Sequence, residues 1–185
     1  MKRNHRKNYN LPGHAHELTF SCYKNFPFLN SDRTRNWLVE AINVARGEHQ
    51  FDLWAYVFMP DHAHLIIFPR NPIYDIALIR KAIKGPVATK AIEYLKQHAP
   101  EWLPRITRHR GDKIERLFWQ SGGGYDRNIA ERNTLLKMID YIHLNPVRKR
   151  LVESARDWRW SSARWHEGLV DEAPLAIDPI PADWG

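Results

Sequence analysis

Phe51-Asp52-Leu53-Trp54-Ala55-Tyr56-Val57-Phe58-Met59-Pro60-Asp61-His62-Ala63-His64-Leu65-Ile66-Ile67-Phe68 is the stretch that decides the fold. It contains two apolar runs of strand length and strand composition, joined by the short link Met59-Pro60-Asp61. That pattern predicts an antiparallel pair with a tight connection. Side chains at i and i+2 of a strand share a face. His62 and His64 are therefore expected to project together, over the face that carries Ile66 and Phe68. Two neutral imidazoles on a rigid strand make a half-site for a divalent metal. An arbitrary His-x-His is more often a hydrogen-bonded pair at a strand end, so the rest of the chain has to carry the metal reading.

Working outward, His14 to Tyr23 alternates loosely around Leu18-Thr19-Phe20 and reads as a first strand. Ser31 or Asp32 can cap a helix with Trp37, Leu38, Ala41, Ile42 and Ala45 at helical spacing, and Gly47 is expected to end it. After the strand pair, a helical segment covers about 73–98, with Gly85-Pro86 expected to kink or split it. Trp102 to Trp119 mixes basic and apolar residues and has room for another strand. Gly122-Gly123-Gly124 reads as a hinge or turn, and a last helix runs from about Ala130 to Leu144, stopped by Pro146. The order β-α-β-β-α-β-α predicts an α+β fold: an antiparallel sheet with helices packed on it, close to a ferredoxin-like or RRM-like plan. Residues 1–13 read as a flexible basic arm, 14–166 as one domain and 167–185 as an irregular, acidic, proline-rich tail.

Composition narrows the function classes. Lys and Arg outnumber Asp and Glu by 28 to 21 in 185 residues, a net charge of +7, which favours polyanionic partners. A single cysteine, Cys22, excludes an intramolecular disulfide framework and a cysteine-rich zinc site. No apolar stretch is long enough to span a bilayer. The start of the chain (Lys2, Arg3, Arg6, Lys7) lacks the apolar region of a signal peptide. A cytoplasmic location with no membrane partner is the expectation.

The second key segment is Asp140-Tyr141-Ile142-His143-Leu144-Asn145-Pro146-Val147. Residues four apart on a helix share a face, so Tyr141 and Asn145 lie one above the other. Asn145 precedes proline, is biased out of helical geometry and is expected at the helix cap. Its amide oxygen is a candidate third ligand beside His62 and His64. Tyr141 would then set a phenolic oxygen next to the metal-bound group, where a polarised target lets a weak nucleophile act. His143 is a low-ranking alternative ligand. Tyr125 is the rival nucleophile, but it follows a mobile glycine run and has no amide partner four residues on; packing or base stacking suits it better. His14-Ala15-His16 repeats the His-x-His spacing without matching helix residues and reads as a strand-end or DNA contact.

These residues carry a family resemblance. Histidine-hydrophobe-histidine on a strand with a tyrosine on a later helix is similar to the HUH single-stranded-DNA nucleases. Three segments, Tyr56–Leu65, Phe118–Arg127 and Tyr141–Val152, together with Asp157-Trp158-Arg159-Trp160-Ser161-Ser162-Ala163, more narrowly resemble the REP-associated tyrosine transposases. The match spans about 11–166. It implies Mg²⁺ or Mn²⁺ at His62, His64 and Asn145. It also implies that Tyr141 attacks a DNA phosphate to give a 5′-phosphotyrosine and a free 3′-OH. Single-stranded or hairpin DNA is the implied partner, with the protein a monomer or homodimer. The chain departs from the pattern at Ala63, where a larger aliphatic is frequent, and at Arg150, where glycine is common.

The basic set Arg105, Arg108, His109, Arg110, Lys113 and Arg116 is interleaved with Trp102, Ile106, Phe118 and Trp119. Cations that hold phosphates beside aromatics that stack bases are what a single-strand groove needs. Tyr125 and Arg127 join the DNA-binding candidates, as do Arg148, Lys149 and Arg150 just past the nucleophile. Trp158 and Trp160 read as core. The competing readings are a binder of single-stranded or hairpin DNA that does not cut it, and an unrelated metal hydrolase. An intact Tyr141 with both histidines argues against the first, and the lack of a carboxylate-rich motif against the second.

Overall fold

The computed structural model describes residues 9–169 and 173–185. The two apolar runs form strands β2 (Phe51–Phe58) and β3 (His62–Pro69), paired antiparallel. The link between them closes with the Met59 amide donating to the His62 carbonyl at 2.8 Å. β1 (Ala15–Ser21) pairs with the other side of β3, and β6 (Tyr125–Ile129) with the other side of β1. The four-stranded sheet has the order β2-β3-β1-β6, the ferredoxin-like arrangement with β6 as its fourth strand. That fourth strand follows the glycine run. The strand expected within 102–119 is instead a separate hairpin of β4 (Thr107–Arg110) and β5 (Lys113–Arg116), reached through the short helix α3 (Leu103–Ile106).

Alternation along β3 divides the core. Ala63, Leu65 and Ile67 join the cluster under helices α1 (Asp32–His49) and α2 (Ile76–His98). Ile66 joins the opposite cluster, against Leu135, Ile139 and Ile142 of α4 (Arg132–His143). The side chain at position 63 is flanked in the sheet by Phe20 and Phe58. A small residue there leaves room for two aromatic neighbours, which accounts for the departure to alanine.

Two helix boundaries differ from expectation. Ser31 caps α1 through its side chain, but the helix continues past Gly47 to His49 and ends where Gln50 takes the left-handed conformation (φ 52°). A glycine within a helix weakens it without forcing an end. Nor does Gly85-Pro86 split α2. Ile83, Val87 and Ala91 are buried on both sides of the proline, so packing of that stripe outweighs the hydrogen bond Pro86 cannot donate.

The described residues that flank the domain on both sides are fastened to this frame. Lys2, Arg3, Arg6 and Lys7 of the expected arm lie outside the described residues. Over 9–13 the arm is tied rather than loose: Asn128 donates to the Tyr9 carbonyl, Tyr74 to that of Leu11, and the Trp184 indole to that of Gly13. The described part of the tail has no helix or strand, yet Leu175 is buried and Trp184 packs edge-on against Trp54. The Asp178 amide donates to the Leu53 carbonyl and its carboxylate accepts from the Leu53 amide, and Trp160 and Ser162 bond to Phe58 and Tyr56. Both segments cover the open edge of β2.

Arg150 stands with φ at 55°, in the left-handed region that a glycine enters without steric cost. Arg150→Gly is expected to raise stability by up to about 1 kcal/mol, a Tm increase of roughly 2–4 °C by thermal unfolding. A lowered Tm would mean that the arginine side chain contributes more than its backbone costs.

Candidate active site

The β1–β3 register builds the centre of the site. His62 lies opposite Ser21 and His64 opposite Thr19. The two imidazoles sit on the α4 side of the sheet with centroids 5.0 Å apart and planes nearly perpendicular. His64 is buried and His62 half-buried.

Each ring is held at Nδ1. The His64 Nδ1 lies 2.8 Å from the Thr19 hydroxyl and 3.2 Å from Glu17 Oε1, and Thr19 donates to the same carboxylate oxygen at 2.7 Å. The His62 Nδ1 lies 2.7 Å from Asp61 Oδ1. A carboxylate only accepts, so the proton of each neutral ring belongs on Nδ1 and the lone pair on Nε2. This is how a metal-binding histidine is oriented from behind. Burial pushes the His62 pKa down, helped by His64 and Lys149 and opposed by the Asp61 hydrogen bond, and so favours the neutral, ligating form.

Asn145 takes a different place from the one expected. It is not a cap outside helical geometry: it is the first residue of the short helix α5 (Asn145–Arg148), with Pro146 at the position where a missing amide hydrogen is tolerated. Its Nδ2 donates to the carbonyls of Ile142 at 3.1 Å and Tyr141 at 3.3 Å, closing the end of α4. The amide oxygen Oδ1 takes no part in this closure. Lys149, whose amide donates to the Asn145 carbonyl, acts on His62 by charge. Among the described residues no cluster of three His, Cys, Asp or Glu side chains suits a metal. Two imidazole nitrogens plus an amide oxygen fit a divalent cation that keeps positions open.

Tyr141 is exposed on α4, while Ile142 next to it is buried in the cluster that contains Val57 and Met59. Arg148 lies 4.4 Å from the Tyr141 ring centroid and donates to the Tyr141 carbonyl. It is thus engaged with the tyrosine; Lys149 and Arg150 beside it are exposed. His143 points away from the pair: its Nε2 lies 2.8 Å from the Ser162 hydroxyl, and burial drives its pKa down to about 3. It is a neutral core residue.

The remaining candidates divide by sheet face. Tyr125 is the register partner of Thr19, and Arg127 of Glu17, so both exposed side chains lie on the histidine face. Gly124 must be glycine, because a Cβ there would meet the Thr19 carbonyl oxygen at 2.2 Å. His16 is on the other face, fully buried, held by Asp126 at Nδ1 and Tyr74 at Nε2, each at 2.7 Å. It is a structural residue and not a DNA contact. On the β4–β5 hairpin, Arg110, Lys113 and Arg116 are exposed, and Arg105 stacks 4.1 Å from the Trp102 ring. Arg108 is instead paired with Glu115 and Ser121, which removes it from the free cations. Glu17 and Thr19 were not singled out from the sequence. Only the strand register brings them behind His64.

No family model matches the chain. A curated protein of Haemophilus influenzae, named as a REP-associated tyrosine transposase, is 29% identical over 172 residues, covering 86% of this chain and 85% of its own length. A solved structure of a REP-associated tyrosine transposase bound to a REP hairpin superposes with a TM-score of 0.68 at 19% identity, over 100% of this chain and 97% of that one. No helix among the described residues is long and apolar enough to cross a membrane.

Proposed function

We propose that this chain, a relative of the REP-associated tyrosine transposases, cuts and rejoins single-stranded DNA at hairpin elements through a covalent tyrosine intermediate. The observation that carries this reading is the pair His62 and His64, each held at Nδ1 by a carboxylate or a hydroxyl–carboxylate relay, on the face over which the Tyr141 helix packs. His62, His64 and Asn145 would hold a divalent cation, Mg²⁺ or Mn²⁺, which would supply charge stabilisation for the phosphate oxygens in the transition state.

The chain's own groups do the rest. The Tyr141 oxygen loses its proton and forms the bond to phosphorus, while the 3′ oxygen leaves with the bonding electrons and takes up a proton. The 5′ phosphate remains on the tyrosine, and a 3′-OH attacking it reverses the exchange. Because the phosphodiester bond is conserved in the adduct, rejoining needs no nucleotide cofactor. Tyr125 and Arg127 line the sheet edge that an incoming strand crosses, and Lys149 and Arg150 flank the Tyr141 end.

The test is a labelled hairpin oligonucleotide mixed with the protein and Mn²⁺, then run under denaturing conditions. A protein–DNA band that disappears with a chelator supports the reading. Binding with no such band would identify a protein that holds hairpin DNA without cutting it. Arg110→Ala is expected to reduce the slope of log affinity against log salt by about 0.7–0.9, the signature of one lost phosphate contact. Arg108→Ala should change it less, since Arg108 is already neutralised by Glu115. Equal slopes for wild type and Arg110→Ala would mean that the hairpin's arginine is merely solvated.

A further inference from the structure

The sheet face opposite the histidines carries a second group of cations that the cut itself does not use. A groove of about 520 Å³ runs between α2 and the segment Arg116–Gly123. Arg80, Lys81 and Lys84 line it from α2, and Arg116 from the end of β5. No carboxylate is among the lining residues. Asp126 lies behind, 3.8 Å from Arg80, and also holds His16; Asp75 acts on Arg80 by charge as well, so both carboxylates are directed at Arg80 among the four cations.

Lys84 is held by a backbone carbonyl rather than by a carboxylate. It is half-buried, and its Nζ donates to the Gly122 carbonyl at 3.1 Å. Burial and then the neighbouring Arg80 push its pKa down to about 8, with Cys22 acting in the opposite sense. Gly123 lies so close to Arg80 that a Cβ would meet its guanidinium nitrogen at 2.8 Å. The loop backbone and the cations therefore form one packed wall. A part-buried cluster with surplus positive charge is relieved by an anion that brings several acceptor oxygens.

The loop also ties this groove to the histidine face. Gln120 donates its amide to the carbonyl of Ser21, the register partner of His62. After Gly124 the chain enters β6, and Tyr125 stands across Thr19 from His64 on the far face. At a strand spacing near 4.8 Å, Tyr125 is roughly 10 Å from His64. Gly122-Gly123-Gly124 thus wraps the sheet edge, with the histidine pair on one side and the cationic groove on the other.

We propose that the groove between α2 and Arg116–Gly123 binds a backbone phosphate of the same DNA strand that is cut at the histidine face, with Lys84 and Lys81 as its main contacts. The identity of the ligand as DNA rests on the strand-cutting reading.

The test uses the full chain and a hairpin oligonucleotide with a single-stranded extension. Lys84→Gln and Lys81→Gln are each expected to weaken binding about three- to tenfold near physiological salt and to reduce the salt slope by about 0.7–0.9. Lys96→Gln, at the far end of α2, should do neither. Lys81 is exposed, so its variant does not endanger the fold. In parallel, amine acylation of Lys84 is followed by mass spectrometry. The oligonucleotide should protect Lys84, while inorganic phosphate at millimolar concentration should not. Unchanged slopes in both variants, no protection by DNA, or equal protection by inorganic phosphate would each overturn the proposal. A missing tyrosine adduct alongside altered slopes would sink the cutting reading and leave the phosphate groove standing.

Discussion

Tyr141→Phe is expected to abolish the covalent protein–DNA adduct and to lower strand cleavage by at least about a thousandfold, while fold and DNA affinity survive. The change deletes one oxygen from a side chain that is exposed on α4, and the ring keeps its contact with Arg148. Cleavage and adduct should vanish together, because the deleted oxygen is the one that takes the phosphoryl bond in the proposed reaction. Tyr125→Phe is the control. Tyr125 shares the histidine face but sits on the edge strand, across Thr19 from His64. Its loss should leave chemistry nearly intact and at most weaken binding. The opposite outcome, an adduct that survives Tyr141→Phe and is lost in Tyr125→Phe, would reassign the nucleophile. If both variants behave as wild type and no adduct forms with Mn²⁺ present, the protein binds DNA without cutting it.

Glu17→Gln is expected to weaken Mn²⁺ binding by about 10–100-fold, measured by calorimetric titration, with a matching loss of adduct at limiting metal. The glutamine amide oxygen can still accept from Thr19, so the hydrogen-bond chain to His64 keeps its shape and loses only its negative charge. That charge is what makes His64 a stronger donor. Because Glu17 is buried, the substitution acts at low screening. Asp61→Asn, behind the more exposed His62, should have a smaller effect in the same direction. An unchanged Mn²⁺ affinity in Glu17→Gln would mean that Glu17 only orders the strand pair.

Both predictions depend on residues of very different visibility. Tyr141 stands in a helix whose apolar positions Leu135, Ile139 and Ile142 recur at helical spacing, and Asn145 is marked by the proline after it. His62 and His64 lie on a strand whose composition admits little else. In each case the chemistry-bearing residue belongs to an element with a strong local signal. Glu17, by contrast, is one polar residue in a loosely alternating strand. Its function comes from standing next to His64 across a strand boundary, a relation between positions 47 residues apart.

The same distinction runs through the fold. Strand β6 reads Tyr-Asp-Arg-Asn-Ile, with one buried apolar residue, and follows three glycines; nothing local announces a strand. It forms because β1 offers an open edge and Asp126 is drawn to His16 and Arg80 on the far face. Gly47 and Pro86 look like helix ends by propensity, and packing against the sheet carries both helices through them. Arg108 reads as a free cation until β5 places Glu115 beside it.

What the amino-acid sequence by itself determined was each element with a period strong enough to bury a face: the β2–β3 pair, the two helices behind it, the Tyr141 helix, and therefore the shared face of His62 and His64. Only the tertiary structure decided the fourth strand, the carboxylates behind the histidines, the pairing of Arg108 and the gathering of Lys84 with Arg80 and Arg116. The physical reason is range. Periodicity reports how a residue faces its own element, within a few positions along the chain. Strand register and charge pairing are settled between elements, where the partner can be anywhere and the sequence carries no local mark of it.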